Sequence, residues 1–136
     1  MNAPQTAAAK AALAAPQFNF VILYVADVAR SAAFYAEALQ RPVVEDSPTF
    51  AIISLQDGTM LGLWKRGEVQ PAASGGPGAS ETCFRLADEA AVRATHDAWK
   101  KRGVAIAQAP TLMDFGTTFV ALDPDGHRVR VYVPQG

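Results

Sequence analysis

The side chains to weigh first for covalent or acid–base chemistry are two histidines, His96 and His127, and a single cysteine, Cys83. His96 falls in the middle of a helical pattern, where an imidazole sits on the surface or is partly packed. His127 follows an Asp123-Pro-Asp-Gly126 turn and is placed to cap that hairpin or to hydrogen-bond locally. Cys83 has no base beside it in sequence and reads as a small buried residue. No Ser-His-Asp or Cys-His arrangement is supported, so no catalytic residue is assigned. What remains is the chemistry of binding. Trp64 and Phe50 offer stacking surfaces, Phe20, Ile22, Met60 and Tyr132 further wall, and Arg130 a guanidinium able to hold a carboxylate bidentately.

These residues need elements to hold them. Phe18–Ala26 is β-rich and predicts a strand. Asp27 is placed as the N-cap of a helix running to Leu39, with Phe34, Tyr35, Ala38 and Leu39 as its apolar stripe and Pro42 as its stop. A short strand near Val43–Glu45 follows. Phe50–Leu55 and Thr59–Lys65 then form two strands joined across Gln56-Asp57-Gly58. Residues 66–79, rich in Gly, Pro, Ala and Ser without periodicity, are a linker. The pattern then restarts: Glu81–Ala87 as a strand, Asp88 as an N-cap, and Glu89–Arg102 as a helix with Val92, Thr95, His96 and Trp99 on one side. Gly103 ends it, Val104–Gln108 is a short strand, and Phe115–Val133 is a hairpin closed by the Asp-Pro-Asp-Gly turn.

Each half is therefore strand–helix–strand–strand–strand, with Asp27 matching Asp88 and Gly58 matching Gly126. A duplicated unit of this kind predicts two curved sheets, each with a helix on its convex face. The strands alternate with a period of two. Val21, Leu23, Val25, Leu61, Leu63, Phe84, Leu86 and the valines of the last strand form uniformly aliphatic faces that belong under the helices. The opposite faces hold Phe20, Ile22, Tyr24, Met60, Gly62 and Trp64 in the first half. In the second half they hold Glu81, Cys83, Arg85, Arg128, Arg130 and Tyr132. Such mixed aromatic and polar lining suits a small-molecule cleft, although an aromatic on a strand is more often core. Gly62 beside Trp64 removes bulk where a flat ligand or another backbone approaches.

The chain has 136 residues, half of them hydrophobic and 18% charged, which suits one domain with a sizeable core. A net charge of −1 with scattered Lys and Arg gives no patch for nucleic acid or an anionic membrane surface. No apolar run approaches spanning length, and the lone cysteine suits a reducing compartment. Residues 1–17 read as a flexible Ala-rich tail rather than a signal peptide, and the whole as a cytoplasmic domain.

The Val25-Ala-Asp-Val-Ala-Arg-Ser-Ala-Ala-Phe-Tyr35 run, the two halves and Asp123-Pro-Asp-Gly-His127 resemble the vicinal-oxygen-chelate superfamily, from about residue 18 to the end. That family includes glyoxalase I, extradiol dioxygenases, fosfomycin-resistance enzymes and bleomycin-binding proteins. The resemblance implies an α+β fold of two βαβββ modules, about 18–65 and 80–134. They would form a cup-shaped mixed sheet with outer helices, commonly in a homodimer. It also implies that the metal ligands of the enzymatic members fall at Phe20, Gly62, near Glu81 and at Arg130. Phe and Gly supply no side-chain donor and Arg repels a cation, so neither a metal nor another cofactor is expected.

Leu61-Gly-Leu-Trp-Lys-Arg-Gly-Glu68, Met113-Asp-Phe-Gly-Thr-Thr-Phe119 and the turn with its following strand resemble the phenazine-antibiotic resistance proteins, a drug-binding branch. The expectation is a homodimer that sequesters a planar aromatic compound such as a phenazine-type antibiotic. Its site would comprise Trp64, Phe50, Phe20, Ile22, Met60, Gly62, Arg130 and Tyr132, with Asp114 and Phe115 in the loop that closes the mouth. Arg130 has two readings: a partner for a ligand carboxylate, or a structural pair with Glu81 facing it across the cup. The alternatives are a metal-dependent glyoxalase-like lyase or isomerase, or a dioxygenase-like enzyme, and a fold that serves only to dimerise or bind a partner chain.

Overall fold

A computed structural model describes residues 14–136. The tail read over residues 1–17 lies outside the described residues as far as residue 13. The elements run β1 (Phe20–Val25), α1 (Val28–Leu39), β2 (Val43–Asp46), β3 (Phe50–Ser54) and β4 (Met60–Lys65). They then repeat as β5 (Glu81–Arg85), α2 (Glu89–Lys101), β6 (Ala105–Met113), β7 (Gly116–Leu122) and β8 (Arg128–Pro134). The strands form two four-stranded mixed sheets of the same order, β1-β4-β3-β2 and β5-β8-β7-β6. In each, the first strand runs parallel to the last and the rest are antiparallel.

The predicted caps start both helices. Asp27 and Asp88 are extended at the backbone, and their carboxylates accept from the amides of Arg30 at 3.1 Å and Ala91 at 2.7 Å. Each satisfies an amide that the helix leaves orphaned, an effect of about 1 kcal/mol. Gln40 takes a left-handed conformation (φ 53°) and ends α1 two residues before Pro42. Lys100 and Lys101 occupy the last turn of α2, where positive charge meets the negative end of the helix dipole.

Alternation along the strands decides what each helix covers. Val25, Ala51, Ile53, Leu61 and Leu63 are buried together with Val28, Ala32 and Tyr35 of α1. Phe119, Ala121, Val129 and Val131 are buried with Val92 and Trp99 of α2, and the two groups join in one core. Burying an aliphatic side chain such as Leu63 or Ile53 completely contributes about 1.5–3 kcal/mol.

Three expectations are corrected. The short strand expected over Val104–Gln108 extends to Met113, because Pro110 lies on an edge strand whose ladder does not need its missing N–H. Cys83 is exposed, since it alternates onto the uncovered face of β5. His96 is buried, its ring packed edge-on against Phe119 with centroids 5.5 Å apart.

Candidate functional site

The uncovered face of the first sheet is aromatic. The pairing sets Phe20 beside Met60, Ile22 beside Gly62 beside Ile52, and Tyr24 beside Trp64 beside Phe50. Four rings run in a chain across it: Tyr24 to Trp64 at 6.3 Å, Trp64 to Phe50 at 5.9 Å, and Phe50 to Phe20 at 6.4 Å. Neighbouring planes are tilted by 53° or more, the edge-to-face geometry that aromatic pairs prefer. The rings are only half-buried, and Ile22 keeps 42% of its surface exposed. Gly62 does not leave its space to a ligand. A Cβ there would lie 2.6 Å from Cε1 of Phe20 and 3.0 Å from Cζ of Phe50, so the chain's own rings fill that space.

The uncovered face of the second sheet is polar and cross-linked. Arg130 Nε donates to Glu81 Oε1 at 2.6 Å, and its two terminal nitrogens donate to Glu81 Oε2, Gln108 and Thr118 at 3.2–3.3 Å. The guanidinium carbon lies 5.8 Å from the centre of the Phe115 ring, which packs edge-on against Tyr132. Of the two readings of Arg130, the pair with Glu81 is the one formed. It does not span a cup, however: β5 and β8 are neighbouring parallel strands, with Cys83 opposite Arg130. Asp114 and Phe115 form the tight connection between β6 and β7, both exposed. Cys83 has its thiol pKa raised by burial and by the Glu81 carboxylate, against an opposing effect of Arg130.

The predicted residues thus fall into two groups. Phe20, Ile22, Phe50, Met60, Gly62 and Trp64 share one face; Arg130, Tyr132 and Phe115 share the other. Among the described residues no hydrogen bond or ring contact joins the groups. Their open sides adjoin at the start of β5. A cleft of about 240 Å³ is lined by Ile22, Tyr24, Arg66, Ser80 and His127, and one of about 290 Å³ by Ser80, Glu81, Arg128 and Arg130. Ser80 stands in the wall of both.

Sequence reasoning missed a third cluster, behind the faces. Tyr35 of α1 donates to Asp123 Oδ2 at 2.8 Å, and His127 Nδ1 lies 2.8 Å from the same oxygen. Asp123 Oδ1 accepts from the amides of Asp125 and His127. Asp125 in turn accepts from the Ala26 amide at 3.0 Å and the Ser31 hydroxyl at 3.4 Å. Burial pushes the Asp123 carboxyl pKa upward, but the hydrogen bonds from His127 and Tyr35 outweigh it and hold it below the usual range. An ionised Asp123 requires His127 to carry its proton on Nδ1. Burial and the adjacent Asp123 push the Tyr35 pKa far up.

Asp123, Asp125 and His127 could geometrically gather round a cation. The oxygens of Asp123 and Asp125 already accept from N–H and O–H partners, and His127 Nδ1 donates to Asp123, so the cluster is a clasp between the halves. The other junction of the halves, where Leu55 and Gln56 meet Thr95 and Trp99, leaves a groove of about 190 Å³ that Arg41 and Arg85 also line.

The donor set fits no divalent ion at the four positions that the vicinal-oxygen-chelate resemblance singles out. Phe20 and Gly62 bring no side-chain donor, and Glu81 and Arg130 are bonded to each other. Among the described residues, no helix is long and apolar enough to cross a membrane.

Residues 17–131 match the model of the glyoxalase/bleomycin resistance protein/dioxygenase superfamily. The phenazine antibiotic resistance protein EhpR of Enterobacter agglomerans is 30% identical over 116 residues, covering 83% of this chain and 88% of that protein. Protein ATC0852 from Agrobacterium tumefaciens, solved by NMR in solution, is 45% identical with a TM-score of 0.82, over 90% of this chain and all of that one. A glyoxalase-related enzyme from Fulvimarina pelagi shares the fold, with a TM-score of 0.77 at 21% identity and 88% coverage of each chain.

Proposed function

The chain belongs to the glyoxalase/bleomycin resistance protein/dioxygenase superfamily, and we propose that within it this protein binds and sequesters a planar aromatic compound without a metal. The observation that carries the reading is the chain of partly exposed rings on the first sheet, with Phe20 and Gly62 where a chelating enzyme of this family needs donors. A flat ligand laid on Trp64 gains a stacking contact of about 0.5–1.5 kcal/mol beyond the area it covers. The similarity to a phenazine antibiotic resistance protein makes a phenazine-type antibiotic the first candidate. The proposed working form is a cytoplasmic homodimer. In support, Val44, Leu112, Met113 and Phe115 each keep 39% or more of their surface exposed in the single chain, a cost that a second copy would relieve.

Titration of the purified protein with phenazine and phenazine carboxylic acids, followed by Trp fluorescence with and without chelator, tests this reading. Saturable quenching unaffected by chelator, lost in Trp64→Phe and kept in Trp99→Phe, is the expected result. Binding that requires added metal, or tightly bound stoichiometric Zn, Ni, Mn or Fe after purification, would move the protein to the enzymatic members. Absence of binding by every compound would leave a dimerisation or partner-binding fold.

A further inference from the structure

Arg130 is the guanidinium that sequence reasoning offers to a ligand carboxylate, yet it is already spent. Its Nε and one terminal nitrogen hold Glu81, and the other terminal nitrogen serves Gln108 and Thr118. With its side chain only 15% exposed, it braces the sheet from within.

Two other arginines share that face. The parallel pairing of β5 with β8 sets Glu81 beside Arg128, Cys83 beside Arg130 and Arg85 beside Tyr132, and paired residues of parallel strands point the same way. Arg128 and Arg130 therefore stand on the open side with the single carboxylate of Glu81, while Arg85, four residues along β5, also lines the groove at the other junction of the halves. Arg130 occupies that carboxylate at hydrogen-bond distance, whereas Arg128 reaches it at only 3.5 Å and keeps 42% of its side chain exposed. Arg85 is exposed and has no ion-pair or hydrogen-bond partner among the described residues. Arg128 also lines the cleft of about 290 Å³ with Ser80 and Glu81, next to the cleft that exposes Ile22 and Tyr24 of the aromatic sheet.

We propose that this face selects for an anionic ligand, with Arg128 as the residue that receives its carboxylate or sulfonate. Arg85 would add to the attraction, and Arg130 would act as the fixed brace that neutralises Glu81. The proposal rests on the planar-aromatic reading above and narrows it to flat aromatic acids. The physical basis is uncompensated positive charge. Glu81 can neutralise one guanidinium, and Arg130 holds it with the better geometry, so an entering anion meets Arg128 without first having to break a strong pair.

Matched compounds separate this inference from the reading it rests on: phenazine against phenazine-1-carboxylate, titrated into the full chain and into Arg128→Gln and Arg85→Gln. The carboxylate should bind about 10-fold tighter or better than the neutral parent at low salt. Arg128→Gln should cut that preference to about 3-fold or less while the parent binds as before, and Arg85→Gln should lower it by a smaller factor. Raising the salt should shrink the preference in the wild type and leave binding of the parent unchanged. Equal binding of both compounds by the wild type, or a full preference retained in Arg128→Gln, overturns the role of Arg128 and leaves stacking on Trp64 standing. Failure of both compounds to bind overturns the aromatic reading and this one together.

Discussion

The hydroxyl of Tyr35 donates to a buried oxygen of Asp123 at 2.8 Å, tying the helix of the first half to the turn of the second across 88 residues of chain. Asp125 completes the tie by accepting from the Ala26 amide just ahead of that helix. Tyr35→Phe removes one donor from an ionised acceptor and keeps the ring, so the expected loss is about 1.5–3 kcal/mol of unfolding free energy. Urea denaturation followed by fluorescence and by far-UV circular dichroism measures it. A change near zero would mean that the clasp does not hold the halves together.

The same carboxylate sets an acid limit. The folded pKa of Asp123 lies below that of the unfolded chain, which is about 3.9. Its stabilisation is therefore complete above that value and is lost as the pH falls through the folded pKa. Tyr35 works in the opposite sense. Its folded pKa is raised, so its contribution is complete below about pH 10 and fades above it as the unfolded tyrosine ionises. Unfolding free energies measured from pH 2 to pH 11 should fall at both ends. Asp123→Asn should flatten the acid limb and Tyr35→Phe the alkaline one.

Gly62 is held by its neighbours. A methyl group there would meet Phe20 at 2.6 Å and Phe50 at 3.0 Å, so Gly62→Ala must push a ring out of place at a cost of about 1–3 kcal/mol. Replacing Phe20 by Ala in the same chain opens the space again. The double variant should accordingly be more stable than the two single effects added together, a coupling that thermal unfolding of the four proteins reads directly. Additive effects would show that Phe20 and Gly62 do not share the space.

Cys83 lies on the open face beside Arg130 and is exposed, with its thiol pKa raised by partial desolvation of the sulfur and by Glu81. A disulfide reagent such as Ellman's should label the native protein at one thiol. It should do so more slowly than it labels free cysteine at pH 7.5, and faster as the pH rises. Protection by a bound aromatic acid would show that this face is covered in the complex.

Much of the scaffold was legible because it rests on local chemistry. Asp27 and Asp88 announce their helices, Gly58 and Gly126 their turns, and the alternating valines of β8 announce which side is core. What escaped depends on which strands become neighbours. Nothing in the sequence says that β5 lies against β8, so the expectation sets Glu81 across a cup from Arg130 instead of beside it. The length of β6 escaped because Pro110 reads as a break, and two register irregularities, after Ile106 and after Gln108, blur the alternation. The aromatic set on the first sheet followed from parity alone, but that Phe20 and Phe50 would fill the space above Gly62 is a matter of packing. By its spacing Tyr35 is one more residue of an apolar stripe. Its hydroxyl gained a meaning only once Asp123 arrived from the other half.

The two junctions between the halves are unequal, and this bears on the history of the chain. If Asp27 is matched to Asp88 and Gly58 to Gly126, Tyr35 corresponds to His96 and Asp123 to Leu55. Where Tyr35 meets Asp123 the halves are clasped, whereas where Leu55 meets the helix of His96 and Trp99 they leave a groove. An ancestor made of two identical first halves would set each Tyr35 against a leucine and leave its hydroxyl without a partner. The two halves thus meet through unlike residues at their two junctions. A copy of the first half put in place of the second would leave the Tyr35 hydroxyl without its carboxylate.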